Sequence, residues 1–516
     1  MANKTLFAST RGALAPVANA TNREGSLAHE YEPKHKLAQY AATGCLSNTF
    51  YAGAEEQLAT VLELAGKVAP EYLAKCAVYA RESGAMKDMP ALLVAVLSAK
   101  STPHFKQVFS RVVDNGRMLR TFVQILRSGV TGRKSLGSAP KALVQRWLNE
   151  APERKLVDAS IGADPSLKDI VRMVHPKPKD VKREAFYGWL LGKPYAVERL
   201  PEALQEYVLY KFDRARALPD VPFQMLTALG LNRDEWAQVA LRGGWHMVRM
   251  NLNTFARHGV FELKNVAERV AEKLRDRNAI ERARAFPYQL MVAYHAAAAG
   301  VPQVVKEALQ DAMEIAIENV PAFGGRVVVC PDVSGSMKSA VTGFRRGATS
   351  VVRCVDVAAL VTAAIVRANR EAQVLPFEER VREIELNARD SVMTNAQKLA
   401  AIGGGGTNCS APLKWLVQRR ARADLVILVS DNQSWVDARA KGATETMRQW
   451  EMFRVQNPEA KLVCIDLQPH GTTQAAERAD VLNVGGFSDD VFDFVARFAR
   501  NELGARWVEN VERVEL

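Results

Sequence analysis

From about residue 34 to 320 the chain carries a single pattern, apolar residues three and four apart, with almost no strand signal. Leu58, Val61, Leu62 and Ala65 form one such stripe, and Tyr72, Leu73, Cys76, Ala77 and Ala80 the next. Short breaks rich in Gly or Pro separate the helices: ESGAMKDMP, AKSTPH, GSAP, HPKPKD, GKPYAVERLP and LPDVP. A run this long does not close around one core. Helix pairs stacked as an α-solenoid are the usual solution, and the breaks recur irregularly, roughly every 30–45 residues. Residues 1–30 are polar and without period, which predicts a flexible arm.

At Gly324-Gly325 the pattern changes. RVVVCPDVSGSM is a β-branched run ending in a turn, and VDVAALVTAAIVRAN is a helix. AQVLPF and VREIEL read as two strands, DLVILVSDNQSW as a strand and turn, and KLVCIDLQP as another strand. Helices lie between them, and SDDVFDFVARFARNEL closes the series. Near-continuous Val, Ile and Leu strands alternating with helices predict a doubly wound, mainly parallel α/β sheet over 324–516.

Charge divides at the same place. The net charge of +12 resolves into +11 over residues 1–324 and +1 over residues 325–516. The helical part therefore suits a polyanion. The six cysteines are scattered without a CxxC pair, which argues against a zinc ribbon and for buried thiols in a reducing, cytoplasmic setting. No apolar stretch is long enough for a membrane span, and the first residues lack the apolar core of a secretory signal.

The most specific motif is Asp332-Val-Ser334-Gly-Ser336, at the carboxyl end of the first strand of the α/β domain. Thr407 stands in the loop GGGGTN, and Asp431 directly follows LVILVS. In a sheet ordered 3-2-1-4-5-6 the strands ending in Asp332 and Asp431 are neighbours at the switch point, where ligands bind. Two carboxylates and three hydroxyls, without sulfur or imidazole, suit Mg2+ or Mn2+. DVSGSM alone would equally suit a capped strand-to-helix turn. An enzymatic reading, with Asp332 as a phosphoryl-accepting nucleophile, lacks a paired Lys or His, since His470 is the domain's one histidine. No catalytic residue is therefore assigned. The set Asp332, Ser334, Ser336, Thr407 and Asp431 resembles the metal-ion-dependent adhesion site of von Willebrand factor A (vWA) domains. That resemblance implies hydroxyls bound directly to the ion, carboxylates bound mostly through water, and one position open to a partner protein's carboxylate.

Three basic segments stand out in the helical part. In the first, Arg133, Lys134 and Lys141 surround a helix start at Ser138, read as the N-cap, with Pro140 in the first turn. In the second, Leu167, Ile170, Val171 and Val174 form a core stripe. Lys168, Arg172 and His175 line another face, and Pro176 and Pro178 lead Lys177 and Lys179 onward. In the third, residues 245–258 read as one helix, with Trp245, Val248, Leu252 and Phe255 apolar. His246, Arg249, Asn253 and Arg257 are polar. Each segment would also suit an ordinary solvated face or interhelical hydrogen bonds. No RNP, KH or zinc-knuckle signature is present.

KHKLAQYAATGCLSNTFY, GRKSLGSAPKALVQRW, LKDIVRMVHPKPKD and MVRMNLNTFARHGVF resemble the TROVE module of the Ro autoantigen family. TROVE followed by an A domain with DVSGSM is that family's architecture, and the resemblance, close to a bacterial Ro protein, spans about residues 25–515. It implies a ring of HEAT-like repeats over 31–323, closed by the A domain. Small noncoding Y RNAs would bind the outer basic surface. Single-stranded 3′ ends of misfolded or defective structured RNAs would enter the hole, and polynucleotide phosphorylase would be a partner. The expected function is thus a non-catalytic RNA-binding scaffold of noncoding-RNA quality control. The alternatives are a metal-dependent protein-binding scaffold and, third, an RNA hydrolase. No role follows for the basic stretch 338–355.

Overall fold

The computed structural model describes residues 15–516 except 45, 47–48, 50–51, 133, 284–286, 319, 342–351, 437–441, 469, 487–488 and 503–505. The chain forms two compact units, one of residues 1–64, 271–298 and 303–513, the other of residues 65–270, 299–302 and 514–516.

The second unit is helical. Its helices Pro70–Glu82, Asp88–Lys100, Thr102–Val112 and Gly116–Ser128 each pack on helices one to three places along the chain. Ser138–Glu150, Glu153–Ala159 and Leu167–Val174 extend the series in the same way. Neighbour-on-neighbour packing is what a stacked array requires. The sequence stripe is buried as its period demands: Tyr72, Leu73, Cys76, Ala77 and Ala80 lie inside. Phe105 and Phe109 of one helix and Phe122 of the next join two successive helices through ring contacts of 5.3 to 5.9 Å.

The first unit holds a five-stranded parallel sheet. Its strands are β3 (Val327–Pro331), β4 (Gln373–Val374), β5 (Leu425–Ser430), β6 (Lys461–Asp466) and β8 (Val481–Gly485), in the order β4-β3-β5-β6-β8. Strand residues point alternately to the two faces. Val328, Cys330, Val426, Leu428, Leu462 and Cys464 therefore meet Leu413, Leu416, Trp450 and Phe453 in one core. The helix Cys354–Ala368 packs on β3 and β5. A sheet covered by helices needs apolar residues throughout, which explains the unbroken VVVC and LVILV runs.

Four expectations need correction. The order is 2-1-3-4-5 in strands of this domain, not 3-2-1-4-5-6, although the strands bearing Asp332 and Asp431 are neighbours as expected. The order changed because VREIEL forms no strand. Arg382 N–H bonds back to the Pro376 carbonyl at 2.7 Å, and Ile384 and Leu386 pack against the cluster of Ala359, Val366, Val374, Ala396 and Leu399 instead. The flexible arm fails over its described part, since β1 (Ala20–Thr21) and β2 (Leu27–Glu30) pair, and β2 also pairs with β7 (Thr472–Thr473). Residues 1–14 of that arm lie outside the described residues. Finally, the sheet begins near the expected boundary, but the compact unit around it also takes in residues up to 64 and the helices Pro287–Ala296 and Gln303–Ala316.

All five described cysteines are buried free thiols, while Cys45 lies outside the described residues, as does most of the basic stretch 338–355. Among the described residues no helix is long and apolar enough to cross a membrane.

Candidate metal centre and basic surface

Asp332 leaves the carboxyl end of β3 and is fully buried. Its Oδ1 accepts the Ser334 N–H at 2.8 Å and its Oδ2 accepts the Ser430 hydroxyl at 2.6 Å. Ser334 Oγ stands 3.3 Å from Ser336 Oγ and receives the Thr407 hydroxyl at 2.9 Å. Asp431, also buried, follows the neighbouring β5, accepts the Gln433 N–H at 3.3 Å and meets the Ser336 side chain. All five expected donors therefore converge. Asp332, Ser334, Thr407 and Asp431 are buried, whereas Ser336 is partly open to solvent.

Burial raises the Asp332 carboxyl well above the usual carboxylate range, and the nearby charge of Asp431 raises it further. Asp431 is raised too, chiefly by burial. Two buried carboxylates whose negative charge is this poorly compensated fit a divalent cation. Such an ion would stabilise both charged forms at once. Among the described residues no three His, Cys, Asp or Glu side chains group as metal ligands, so the hydroxyls must share in any ion binding.

Several supports could not be named from sequence. Ser430 orients Asp332 from one residue before Asp431. Glu378 is buried and accepts the Gly405 N–H at 2.8 Å. Burial works against its charge, but that N–H and Arg382 hold it below the usual range. It thereby fixes the loop that delivers Thr407. Gly403 is required there: its φ is +85°, and a Cβ would lie 2.2 Å from the Val333 carbonyl oxygen. Asp466, at the end of β6, adds a third buried carboxylate, raised by burial and by Asp431. Its signal was its strand-end position, masked by the apolar run KLVCI. His470 is also buried, and burial followed by the charge of Arg23 pushes its imidazole down to about 4.

The basic segments are all on the helical unit. The helix expected to be capped by Ser138 starts at Ser138, with Gly137 at the cap position in a positive-φ conformation and no side-chain cap. Arg133 lies outside the described residues. Lys134 is exposed and its stem lies against Gly129, while Lys141 is half-buried. The helix Leu167–Val174 carries a capping box between Ser166 and Asp169, and Leu167, Ile170, Val171 and Val174 are buried as expected. Lys168 is half-buried, and Arg172, His175, Lys177 and Lys179 are exposed. His175 does not continue the helical face: it sits past the last turn at φ 49°, because Pro176 excludes a further right-handed turn.

The structure joins the first two segments. Gln145 Nε2 donates to the Val174 carbonyl at 2.6 Å, and Asn149 Nδ2 to that of Lys177 at 2.9 Å. Lys141, Gln145 and Asn149 recur every fourth residue and so share one helix face. At 1.5 Å per residue, Lys141 stands about 6 Å along that face from the residue gripping the His175 loop.

The third segment is not one helix. It breaks at Asn251 into Trp245–Met250 and Leu252–Arg257, although Trp245, Val248, Leu252 and Phe255 are all buried. Asn251 Nδ2 bonds the Met247 carbonyl at 2.8 Å, the local competition that such residues offer a helix. His246 and Arg257 are exposed, and Arg249 is half-buried with its guanidinium 5.8 Å from the Trp245 ring centre.

The chain is similar to known proteins. Residues 326–499 match the Ro60 vWA domain family. The chain is 25% identical to a protein of Deinococcus radiodurans named RNA-binding protein RO60, over 93% of this chain and 95% of that one. It is 23% identical to the Caenorhabditis elegans protein of the same name, over 50% of this chain and 40% of that one. The crystal structure of the D. radiodurans RO (RSR) protein has the same fold, with a TM-score of 0.62 and 22% identity over 92% of this chain and all of that one.

Proposed function

We propose that this chain, whose A domain is of the Ro60 type and whose length matches a Ro protein almost throughout, is a non-catalytic RNA-binding scaffold. Its ligands would be small Y-like noncoding RNAs and the single-stranded 3′ ends of misfolded structured RNAs, in the cytoplasm. The observation that carries this reading is that Gln145 and Asn149, on the helix face that bears Lys141, hold the Val174 and Lys177 carbonyls of a segment whose Arg172, His175, Lys177 and Lys179 are exposed. Exposed cations on fixed backbone suit phosphates, and a histidine at the loop suits a phosphate or a base. The family resemblance adds polynucleotide phosphorylase as the exonuclease partner.

A gel shift tests it. A structured RNA with a single-stranded 3′ tail should bind more tightly than the same RNA with a blunt end. Equal affinity for both, or none for either, would reject end recognition.

Replacing Lys168, Arg172 and His175 together with Ala or Ser should weaken binding of a Y-like RNA. Each cation lost should lower the salt slope by about one. Thermal stability should hold within about 1 kcal/mol, because the buried stripe is untouched. A collapsed melting temperature would instead make these side chains structural.

The A domain supports a second role in the same chain. Asp332, Ser334, Ser336, Thr407 and Asp431 would hold Mg2+ or Mn2+, and the ion would present a position to a carboxylate-bearing protein. If RNA does not bind at all, that metal-dependent protein scaffold becomes the leading function. Its motivation is the buried carboxylate pair beside hydroxyls.

A further inference from the structure

The helix Glu202–Phe212 of the helical unit ends in YVLYKF and runs into DRAR, which interleaves three aromatic rings with three cations over residues 207–216. Two of the rings belong to the core. Tyr207 and Tyr210 are buried, and their hydroxyls are bonded, the first to the Met225 carbonyl at 3.3 Å and the second to Glu235. Phe212 is the opposite case. It is 87% exposed, more than any other large apolar side chain among the described residues. Leu209 stands one turn before it on the same helix face and is exposed as well. A ring this open fills no core, so packing gives no reason for it.

The surrounding charges are set by the same short stretch. Asp213 Oδ1 accepts the Ala215 N–H at 3.0 Å, and the Asp213 carbonyl accepts the Arg216 N–H at 3.4 Å, so the chain turns directly after Phe212. Arg214 folds back, with its guanidinium 4.4 Å from the Tyr210 ring centre and 3.3 Å from Glu235. The Lys211 ammonium stands 5.8 Å from the Tyr207 ring centre. Lys211 and Arg216 are exposed and form no ion pair among the described residues. One bare aromatic face thus projects between two cations whose charge nothing on the protein neutralises.

We propose that Phe212 is a stacking platform for an unpaired RNA base, with Lys211 and Arg216 taking neighbouring phosphates. Every base offers a π face and every nucleotide a negative charge, so ring and cations match the two halves of one ligand. A duplex hides its base faces in the stack and cannot use the ring. An apolar protein surface could cover Phe212 but would leave both cations unmatched. This rests on the RNA reading above. It adds a contact, apart in sequence from the His175 loop, that selects single strands without reading base identity.

The test uses the full chain and two hairpin RNAs, one with an adenosine 3′ tail and one with the same tail lacking its bases. Anisotropy over a salt series gives affinity and slope. Phe212→Ala and Phe212→Leu should each weaken binding of the adenosine tail on the order of tenfold, with the slope unchanged. Phe212→Trp should bind it as the wild type does, and on the baseless tail all four proteins should match. Lys211→Ala and Arg216→Ala should each lower the slope by about 0.7 on both RNAs. If Phe212→Ala matches wild type on the adenosine tail, or loses as much on the baseless one, the platform is overturned and the RNA reading stands. If Phe212→Ala changes only the self-association of the chain in sedimentation, the face is a protein contact and the proposal is likewise overturned. If the wild type binds neither RNA, the RNA reading itself fails and takes the proposal with it.

Discussion

Between 50 and 200 mM salt, affinity for a structured RNA is expected to fall on the order of a thousandfold, assuming that about six phosphates are neutralised. The expectation follows from where the charge lies. The excess of +11 is confined to residues 1–324, and the exposed cations at Lys134, Arg172, Lys177 and Lys179 belong to the helical unit. Each phosphate neutralised releases condensed counterions, so the logarithm of the binding constant falls linearly with that of salt. Fluorescence anisotropy over a salt series gives the slope directly. A flat response would reject the basic surface, and with it RNA as the main ligand. A steep response in the wild type with a shallower one in the Lys168, Arg172 and His175 variant would locate the phosphates at the patch.

Sequence made the centre of the sheet legible and left its margins hidden. β3, β5 and β6 are buried on both faces, so their composition is nearly forced, and the donors after them follow from strand ends. Asp332 and Asp431 were readable for that reason. At the edge, β4 was readable within AQVLPF although only two residues of it pair, but VREIEL packs by side chains without a ladder, although its alternation imitates a strand. The hairpin at residues 20–30 was unreadable for a different reason. Strands of two and four residues are too short to show a period, and the bonds that hold the hairpin join Asn22 to Ser434 and Arg23 to Gln433, about 410 residues away. Polar, patternless sequence is what a flexible arm and a tertiary hairpin have in common. On the helical unit the stripes gave the core faithfully, but not where helices stop. Pro176 marked one stop, at HPKPKD, but Asn251 ends a helix inside a stretch whose apolar spacing continues.

Asp332→Ala is expected to abolish Mg2+ and Mn2+ binding while leaving RNA affinity nearly unchanged. The carboxylate sits at the centre of the donor set, holding the Ser334 N–H through one oxygen and the Ser430 hydroxyl through the other. Its removal takes a ligand and loosens two of the groups that order the rest. The apo protein should tolerate this. The variant leaves Ser430 without its acceptor, a cost of about 1–3 kcal/mol, but also relieves the repulsion between two buried carboxylates. A metal-dependent rise in melting temperature is the sharper measure. At a hundredfold excess of ion over the dissociation constant, the wild type should gain about 2.7 kcal/mol and the variant nothing. RNA affinity should be preserved because every cation assigned to phosphate lies on the helical unit, and the domain from residue 325 onward has a net charge of only +1. Loss of RNA binding as large as that of the triple basic variant, without loss of fold, would mean that the ion itself contacts an RNA phosphate. RNA and protein ligands would then compete for one centre, and the separation of a basic RNA surface from an acidic-ligand site would be wrong.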